Sequence, residues 1–153
     1  MSDMIIRQAE EKDVKQIAHL DTLCFAVPWS ELSFRQEITE NERAIYIVAE
    51  VEENIVGYAG MWVILDEGHI TNVAVHPDYR RKHIGQALVS ILLSAGEECG
   101  VERTTLEVRE SNEAAINLYK SFDFKPEGLR KGYYEDNNEN AVIMWRGGFS
   151  ENV

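Results

Sequence analysis

The sequence predicts a mixed α/β fold in which a mostly antiparallel sheet has helices on both faces. Several strand-like stretches are separated only by short turns, as in antiparallel neighbours. Two further stretches, near residues 70–76 and 103–109, are separated by a long helical pattern, which is the connection that joins parallel strands. Because the 153 residues contain no linker-like stretch, we expect a single domain over residues 1–153.

The N-terminal part of the chain predicts one strand and two helices. MIIRQA, residues 4–9, favours a strand, and the apolar residues that follow, as far as Phe25, recur at the three- and four-residue spacing of a helix. PWSELSFRQEI predicts a second helix that begins after Ser30, a good N-cap residue. Phe34 and Ile38 then fall on one face of this helix.

The middle of the chain predicts an antiparallel meander followed by a helix. AIYIVAEV and IVGYAGMWVIL flank residues 52–54 as a hairpin would, and HITNVAVHP follows as another strand that ends at Pro77. From Ile84 the apolar residues keep helical spacing as far as Cys99, and Gly100 closes the pattern.

The last third predicts a strand with one polar face, a helix and two more strands. In RTTLEVR, Leu106 and Glu107 face opposite ways, because side chains alternate along a strand. Asn112 can cap a helix whose inner side includes Tyr119 and Phe122. FKPEGLRKGYY and NAVIMWR then predict the final strands.

Composition bears on function mainly through charge. The net charge of −12 and the pI near 4.7 argue against nonspecific nucleic-acid binding, because affinity for phosphate backbones needs a broad basic surface. The sequence has no run of 18 apolar residues and no secretory signal pattern, and Cys24 and Cys99 fall within helical patterns that favour reduced, packed thiols. We therefore expect a cytoplasmic protein without a membrane partner.

The histidines do not form a metal-binding pattern. His69, His76 and His83 recur at intervals of seven, but they span a strand, its end and a loop, and they match none of the usual zinc spacings. We therefore expect no metal cofactor.

A short basic turn lies directly before the long helix. In HPDYRRKHIGQA, three cationic residues, Arg80 to Lys82, precede the helix start near Ile84, and Gly85 lies in the first helical turn. Unpaired N–H groups and the helix dipole favour an anion there, and glycine permits a ligand to approach the backbone. These residues fit a pyrophosphate site, and they fit a solvent-facing turn equally well. Neither GxxxxGK[ST] nor GxGxxG is present, which weighs against nucleotide hydrolysis and dinucleotide binding.

Three segments together carry a family resemblance. They are NVAVHPDYRRKHIGQAL, whose turn has the form [RQ]-x-x-G-x-[GA] at Arg80 and Gly85, then LEVRESNEAAINLY, and finally GYY. The combination resembles the GNAT acyltransferases and, within them, the RimI-type protein N-terminal alanine acetyltransferases. His83 and Asp123 depart from the family pattern, because relatives usually have glycine at both places.

The resemblance implies the GNAT fold, with acetyl-CoA in a cleft where two central parallel strands splay apart. It also implies that Glu107 accepts a proton from the substrate amine and that Tyr119 protonates the departing thiolate. The residues alone leave other interpretations open, since Glu107 fits a solvent-facing strand carboxylate and the spacing of Tyr119 fits a core aromatic.

Further contacts are implied by the same resemblance. The N–H groups of residues 73–75 would bind the acetyl and pantetheine end, the basic turn would bind the pyrophosphate, and Asn112 would add a contact to the cofactor, although its spacing first indicates an N-cap. The implied cofactor-binding residues are Val73, Ala74, Val75, Arg80, Arg81, Lys82, His83, Ile84, Gly85, Gln86 and Asn112. The implied substrate-binding residues are Phe25, Trp29, Tyr133 and Tyr134.

The function that we predict is acetyl-CoA-dependent acetylation of a protein N-terminus, by resemblance that of a ribosomal protein that begins with alanine, by direct transfer in a ternary complex. We expect the protein N-terminus as the partner, no direct contact with nucleic acid, and a monomer or weak dimer. Two alternatives stay open at this point: a small-amine or polyamine acetyltransferase on the same scaffold, and a noncatalytic CoA-binding module. The acidic residues of EDNNE, between the last strands, fit either recruitment of a basic peptide or simple solvation.

Overall fold

The computed structural model describes residues 3–147, which form one seven-stranded sheet with helices on both faces. The strand order is β1-β2-β3-β4-β5-β7-β6, and every neighbouring pair is antiparallel except β4 and β5. The strands are β1 (Met4–Gln8), β2 (Ala44–Val51), β3 (Asn54–Ile64), β4 (Glu67–Val75), β5 (Arg103–Arg109), β6 (Lys125–Tyr134) and β7 (Glu139–Gly147).

Four α-helices cover the sheet within these residues. They are α1 (Val14–Cys24), α2 (Glu31–Thr39), α3 (Ile84–Glu98) and α4 (Glu113–Lys120). Short 3-10 turns precede α1 at Glu11–Asp13 and follow β4 at Pro77–Tyr79. None of the described helices has the length and apolar character needed to span a membrane.

The predicted mixed sheet, the parallel pair and the order of elements are confirmed, and local chemistry explains most of the boundaries. Ser30 accepts the N–H of Ser33 at 3.0 Å, which caps α2 as predicted. Glu52 and Glu53 both have positive φ, which turns the β2–β3 hairpin tightly. The predicted turn residue Asn54 is already the first residue of β3.

Two hydrophobic cores lie on opposite faces of the sheet. On one face, α1 and α2 bury Val14, Ile17 and Phe34 against β2 and β3. On the other face, α3 and α4 bury residues such as Leu88 and Tyr119 against the central strands. Because side chains alternate along each strand, every central residue belongs to one of these two faces.

Two local predictions are wrong. The helix predicted to contain Phe122 ends at Lys120, although Phe122 still packs against the core from the turn that follows. Cys99 is exposed at the C-terminus of α3 instead of packed. Cys24, the last residue of α1, is a free thiol that packs against the α1/α2 core as predicted, and its sulfur lies 3.4 Å from the carbonyl oxygen of Val75.

The parallel strands β4 and β5 pair over a short distance only. Their ladder consists of the three pairs from Glu67–Arg103 to His69–Thr105, although the strands contain nine and seven residues. A bulge in β4 at Thr71 follows directly after the last pair. Beyond His69 the two strands therefore diverge and leave a gap in the centre of the sheet.

Candidate active site

The gap between β4 and β5 exposes backbone groups along the edge of β4. The N–H of His76 donates to the carbonyl of Val56 on β3 at 2.8 Å, so the carbonyl of the preceding Val75 points away from β3. That carbonyl accepts from the Arg80 Nε at 3.2 Å. By the same alternation, the N–H groups of Val73 and Val75 face the gap, whereas that of Ala74 faces β3.

Glu107 lies on the α1/α2 face of β5. Its strand neighbours Leu106 and Val108 belong to the α3/α4 core, so Glu107 points to the opposite face, as predicted. Its Oε1 lies 2.9 Å from the Nε2 of His69, the last residue of β4 that pairs with β5. Oε2 lies 3.9 Å from an Arg130 nitrogen.

The hydrogen bond from His69 is the main reason that the pKa of Glu107 is lowered, and it outweighs the opposing effect of partial burial. The side chain of Glu107 is 13% exposed and that of His69 is 36% exposed. At neutral pH, Glu107 is therefore an ionised and well-held carboxylate, and His69 is the member of the pair that is more open to solvent.

Tyr119 lies on the other face of the sheet. It is buried in the α3/α4 core, with its ring 5.6 Å from that of Phe124. Burial raises the pKa of the Tyr119 phenol, so it stays protonated at neutral pH. Glu107 and Tyr119 thus belong to opposite faces of β5, and a ligand that contacts both must pass through the gap between β4 and β5.

The basic turn lies at the same end of β4 as the gap. Arg81 and His83 both have left-handed backbone conformations, with φ of 66° and 64°, and α3 begins at the next residue, Ile84. His83 is the N-cap of α3 but its side chain makes no capping hydrogen bond. The first N–H groups of α3 therefore receive no partner from the N-cap side chain, and Arg81, Lys82 and Gln86 are exposed around them.

Arg80 and Asn112 each have a clear structural role. The Arg80 guanidinium turns back to the Val75 carbonyl and lies 3.6 Å from the Cys24 sulfur. The Asn112 side chain accepts the N–H of Ala115 at 3.1 Å and caps α4, which confirms its interpretation as an N-cap. A further contact of either residue with a cofactor stays a prediction.

The residues predicted to bind the substrate form two separate groups. Phe25 and Trp29 lie between α1 and α2, where both are partly buried and the Trp29 N–H donates to Asp21 at 2.9 Å. Tyr133 and Tyr134 pack edge to face at the end of β6, with ring centroids 5.1 Å apart. Both groups flank the α1/α2 face of the sheet, on which Glu107 lies.

The acidic turn between β6 and β7 is not a freely solvated cluster. Arg109 binds Asp136 at 3.0 Å and Glu139 at 3.3 Å, and its guanidinium lies 4.1 Å from the centre of the Tyr134 ring. The second oxygen of Glu139 accepts the N–H of Ser111 at 2.8 Å. Hydrogen bonds from Ser111 are the largest cause that lowers the pKa of Glu139 to about 2.

His69 is not among the predicted site residues, because its spacing from His76 and His83 suggested only a metal pattern that does not match known zinc sites. The predicted parallel pairing could have indicated His69, because parallel neighbours place the start of β4 beside the start of β5. His69 is the third residue of β4 and pairs with Thr105, and Glu107 follows two residues later on the same face of β5. Within residues 3–147, no group of three or more His, Cys, Asp or Glu side chains is placed to hold a metal.

Comparisons with known proteins agree with this geometry. Residues 14–124 match the model of the acetyltransferase (GNAT) family. A protein of Bacillus subtilis (strain 168) is 39% identical over 140 residues, which cover 92% of this chain and 93% of the relative. The [ribosomal protein bS18]-alanine N-acetyltransferase of Escherichia coli (strain K12) is 37% identical over 143 residues, which cover 91% of this chain and 94% of the relative.

A solved structure gives the same result for the fold. The crystal structure of the ribosomal-protein-S18-alanine N-acetyltransferase from Escherichia coli superposes with a TM-score of 0.87 at 35% identity. The superposition covers 99% of both chains. The similarity thus extends over the whole sheet and over the helices on both faces.

Proposed function

The chain belongs to the acetyltransferase (GNAT) family, and from that premise we propose that it acetylates the N-terminal alanine of a ribosomal protein, with acetyl-CoA as the acetyl donor. The observation that carries this proposal is the gap between β4 and β5, which has Glu107 on one face of the sheet and Tyr119 on the other. The names of the E. coli relatives support the choice of substrate. A substrate of this kind is found in the cytoplasm, which is where we infer that the protein acts.

The residues around the turn fit the phosphate end of acetyl-CoA. Arg81 and Lys82 provide positive charge beside a helix N-terminus whose N-cap side chain makes no bond. At Gly85, an added Cβ would come no closer than 3.6 Å to Leu118 and 3.7 Å to Val75. Packing therefore does not require glycine at this position, whereas close approach of a phosphate to the backbone does favour it.

The bound thioester supplies the acetyl group, and the chain has a candidate for each remaining task. We assign the N–H groups of Val73 and Val75 to the thioester carbonyl, because they face the gap. Glu107 takes a proton from the attacking nitrogen as the new C–N bond forms, and it is already ionised at neutral pH. Tyr119 donates its phenolic proton to the departing sulfur.

The two faces of the sheet have different tasks in this mechanism. Acetyl-CoA approaches between α3 and α4, and the peptide approaches from the α1/α2 face, where Phe25, Trp29, Tyr133 and Tyr134 flank Glu107. A protein N-terminus is also easier to acetylate than a lysine side chain. Its amine titrates at about 7.7–8.0, against about 10.4 for lysine, so less of it is charged at neutral pH.

The direct test is to measure CoA release from acetyl-CoA with a panel of short peptides. The panel contains free N-terminal Ala, Ser or Met, blocked N-termini, and basic or acidic residues after the first position. Preferential turnover of free N-terminal alanine is the expected result, with no turnover of the blocked peptide as the control. Turnover of polyamines alone would reassign the chain to small-molecule substrates, and binding of acetyl-CoA without any turnover would contradict an enzymatic function.

A further inference from the structure

The contact between His69 and Glu107 fixes the state of the histidine ring. A carboxylate only accepts hydrogen bonds, so at a separation of 2.9 Å the hydrogen must belong to the Nε2 of His69. In the neutral ring, the other nitrogen, Nδ1, then has a free lone pair that can accept a proton. A proton taken up there forms an imidazolium whose charge lies directly beside the carboxylate.

Proton balance shows that the substrate nitrogen loses two protons, in two separate steps. The substrate starts as an ammonium group, R–NH3+, and ends as an amide, R–NH–CO–CH3, so its nitrogen loses two protons while one C–N bond forms and one C–S bond breaks. The first proton must leave before the nitrogen has a lone pair with which to attack. The second leaves as the C–N bond forms, and the sulfur gains one proton from Tyr119.

Glu107 is poorly suited to the first of these proton transfers. The pKa of Glu107 is lowered from its usual value, and removal of a proton from an ammonium that titrates at about 8 is uphill for any carboxylate and more so for this one. An imidazole is the side chain that exchanges protons close to neutral pH. His69 is also more exposed than Glu107, at 36% against 13%, so an incoming amine can reach it.

We propose that His69 is a catalytic residue whose Nδ1 removes the first proton from the substrate ammonium, while Glu107 orients the ring and stabilises the imidazolium. This inference rests on the proposed function and deepens it. The second proton passes to Glu107 and from there restores Tyr119, and the imidazolium releases its proton to solvent. The overall products are the acetylated peptide, CoA with a free thiol, and one proton.

Other groups around His69 leave this assignment intact. The Trp62 ring packs edge-on against the imidazole with ring centroids 5.9 Å apart, and the Trp62 indole N–H donates to the carboxylate of Glu37 on α2. The Arg130 charge acts on the far oxygen of Glu107. The charged and titratable groups that face the pair are Glu37, Glu67 with its partner Arg103, Glu107, Arg130 and Tyr134.

The test is the pH dependence of kcat/KM for the variant His69→Gln. Glutamine keeps an N–H donor for Glu107 but cannot take up a proton, so the variant can use only amine that is already neutral in solution. With an amine that titrates near ~7.8, the expected loss is on the order of tenfold at pH 7 and disappears by pH 9. His19→Gln is the matched control, because His19 is exposed on α1, and it is expected to behave as the wild type.

The possible outcomes separate this inference from the proposed function. A loss that is equal at pH 7 and pH 9, or no loss at pH 7, would overturn the role of His69. A wild-type protein that turns over no N-terminal amine would instead refute the proposed function. Thermal unfolding and acetyl-CoA affinity of His69→Gln are measured beside the rates. If that variant is unstable, the same pH comparison is made with His69→Asn. A loss equal at pH 7 and pH 9, or no loss at pH 7, would again overturn the role of His69.

Discussion

Single side chains at the candidate site are held in defined protonation states by their neighbours. The hydrogen bond from His69 lowers the pKa of Glu107, which stays ionised at neutral pH, and burial raises the pKa of Tyr119, which stays protonated. Each residue is thus in the form that its proposed task requires before any substrate arrives. The two predictions at this scale remove one functional group each and leave the shape of the side chain almost unchanged.

Glu107→Gln is expected to lower kcat by about 100-fold, because the amide can neither take up a proton nor balance an imidazolium charge. The dissociation constant for acetyl-CoA should change by less than about twofold, since the carboxylate lies on the opposite face of the sheet from the α3/α4 core. Steady-state kinetics and calorimetric titration measure the two quantities. Glu97→Gln, at an exposed ion pair with Arg146, is the control. An unchanged kcat would remove Glu107 from the mechanism.

Tyr119→Phe keeps the ring that packs on Phe124 and deletes the hydroxyl. We expect kcat to fall by about 10-fold to 100-fold, because the departing sulfur loses its proton donor. The matched control is Tyr58→Phe, whose buried hydroxyl donates to Asp21 at 2.7 Å. That control should lower the free energy of unfolding by about 1–2 kcal/mol and leave kcat unchanged. Equal kcat values for Tyr119→Phe and the wild type would make Tyr119 a core residue only.

At the scale of structural elements, the junction of β4 and α3 contains residues in unfavourable left-handed conformations, and it presents the N-terminus of α3 to a ligand. Arg81 and His83 occupy left-handed conformations that glycine adopts more readily, and Asp123 does the same after α4. The usual family glycines at positions 83 and 123 are therefore explained by positive φ. His83 keeps the same conformation here, so the turn retains its shape despite the substitution.

Gly85→Ala separates the stability of this junction from its ability to bind. Alanine is a better helix former than glycine by about 1 kcal/mol, and the space at Gly85 accepts a Cβ, so the free energy of unfolding should stay the same or rise. Acetyl-CoA affinity should fall by about tenfold, because the methyl group occupies the space for the phosphate.

Denaturant titration and calorimetry measure the two effects of Gly85→Ala. Gly128→Ala is the control. An added Cβ at Gly128 would have a similar clearance, 3.6 Å from Ile143, but Gly128 lies on the edge strand β6, which does not adjoin β4. An affinity for acetyl-CoA that is equal in Gly85→Ala and the wild type would place the phosphates elsewhere.

For the molecule as a whole, stability depends on a carboxylate that is buried at the start of α1. Both oxygens of Asp13 accept from Arg7 at 2.8 Å, and one also accepts the N–H of Glu10 at 2.8 Å. Burial by itself raises the pKa of Asp13, but these hydrogen bonds outweigh it and the net shift is downward. The same holds for Glu107 and Glu139, whose pKa values are also lowered.

The sign of these shifts predicts the acid stability of the protein. A carboxylate with a lowered folded-state pKa stabilises the fold above its unfolded pKa of about 4, and this contribution is lost as pH falls through the folded value. The free energy of unfolding should therefore be nearly constant from pH 7 to about pH 5 and decrease below about pH 4. Urea titrations across this range measure it.

Asp13→Asn tests the assignment of this pH dependence. The variant should be less stable than the wild type by about 2 kcal/mol at pH 7, because Arg7 loses its paired charge. The difference should shrink as pH falls from about 4 through the lowered folded-state pKa of Asp13, below which the wild-type side chain is also neutral. A difference that stays constant with pH would mean that packing, and not charge, makes Asp13 important.

The succession of strands and helices along the chain, the mixed sheet with its parallel pair, and the two opposed faces of β5 could all be predicted from the sequence alone. Burial repeats along the chain with the period of each element, so alternation at Leu106 and Glu107 or helical spacing after Ile84 is visible locally. The resemblance of LEVRESNEAAINLY then identified the family, which the comparisons confirm.

The point at which β4 and β5 stop pairing, and the contact of His69 with Glu107 across 38 positions of the chain, became visible only in the folded structure. The folded structure also decided that Cys99 is exposed and that Arg109 occupies the acidic turn. The contact between His69 and Glu107 depends on strand register, and the gap beside it follows a bulge at Thr71. Local periodicity reports which side of an element is buried, but it does not contain the distance between two elements that the chain brings together.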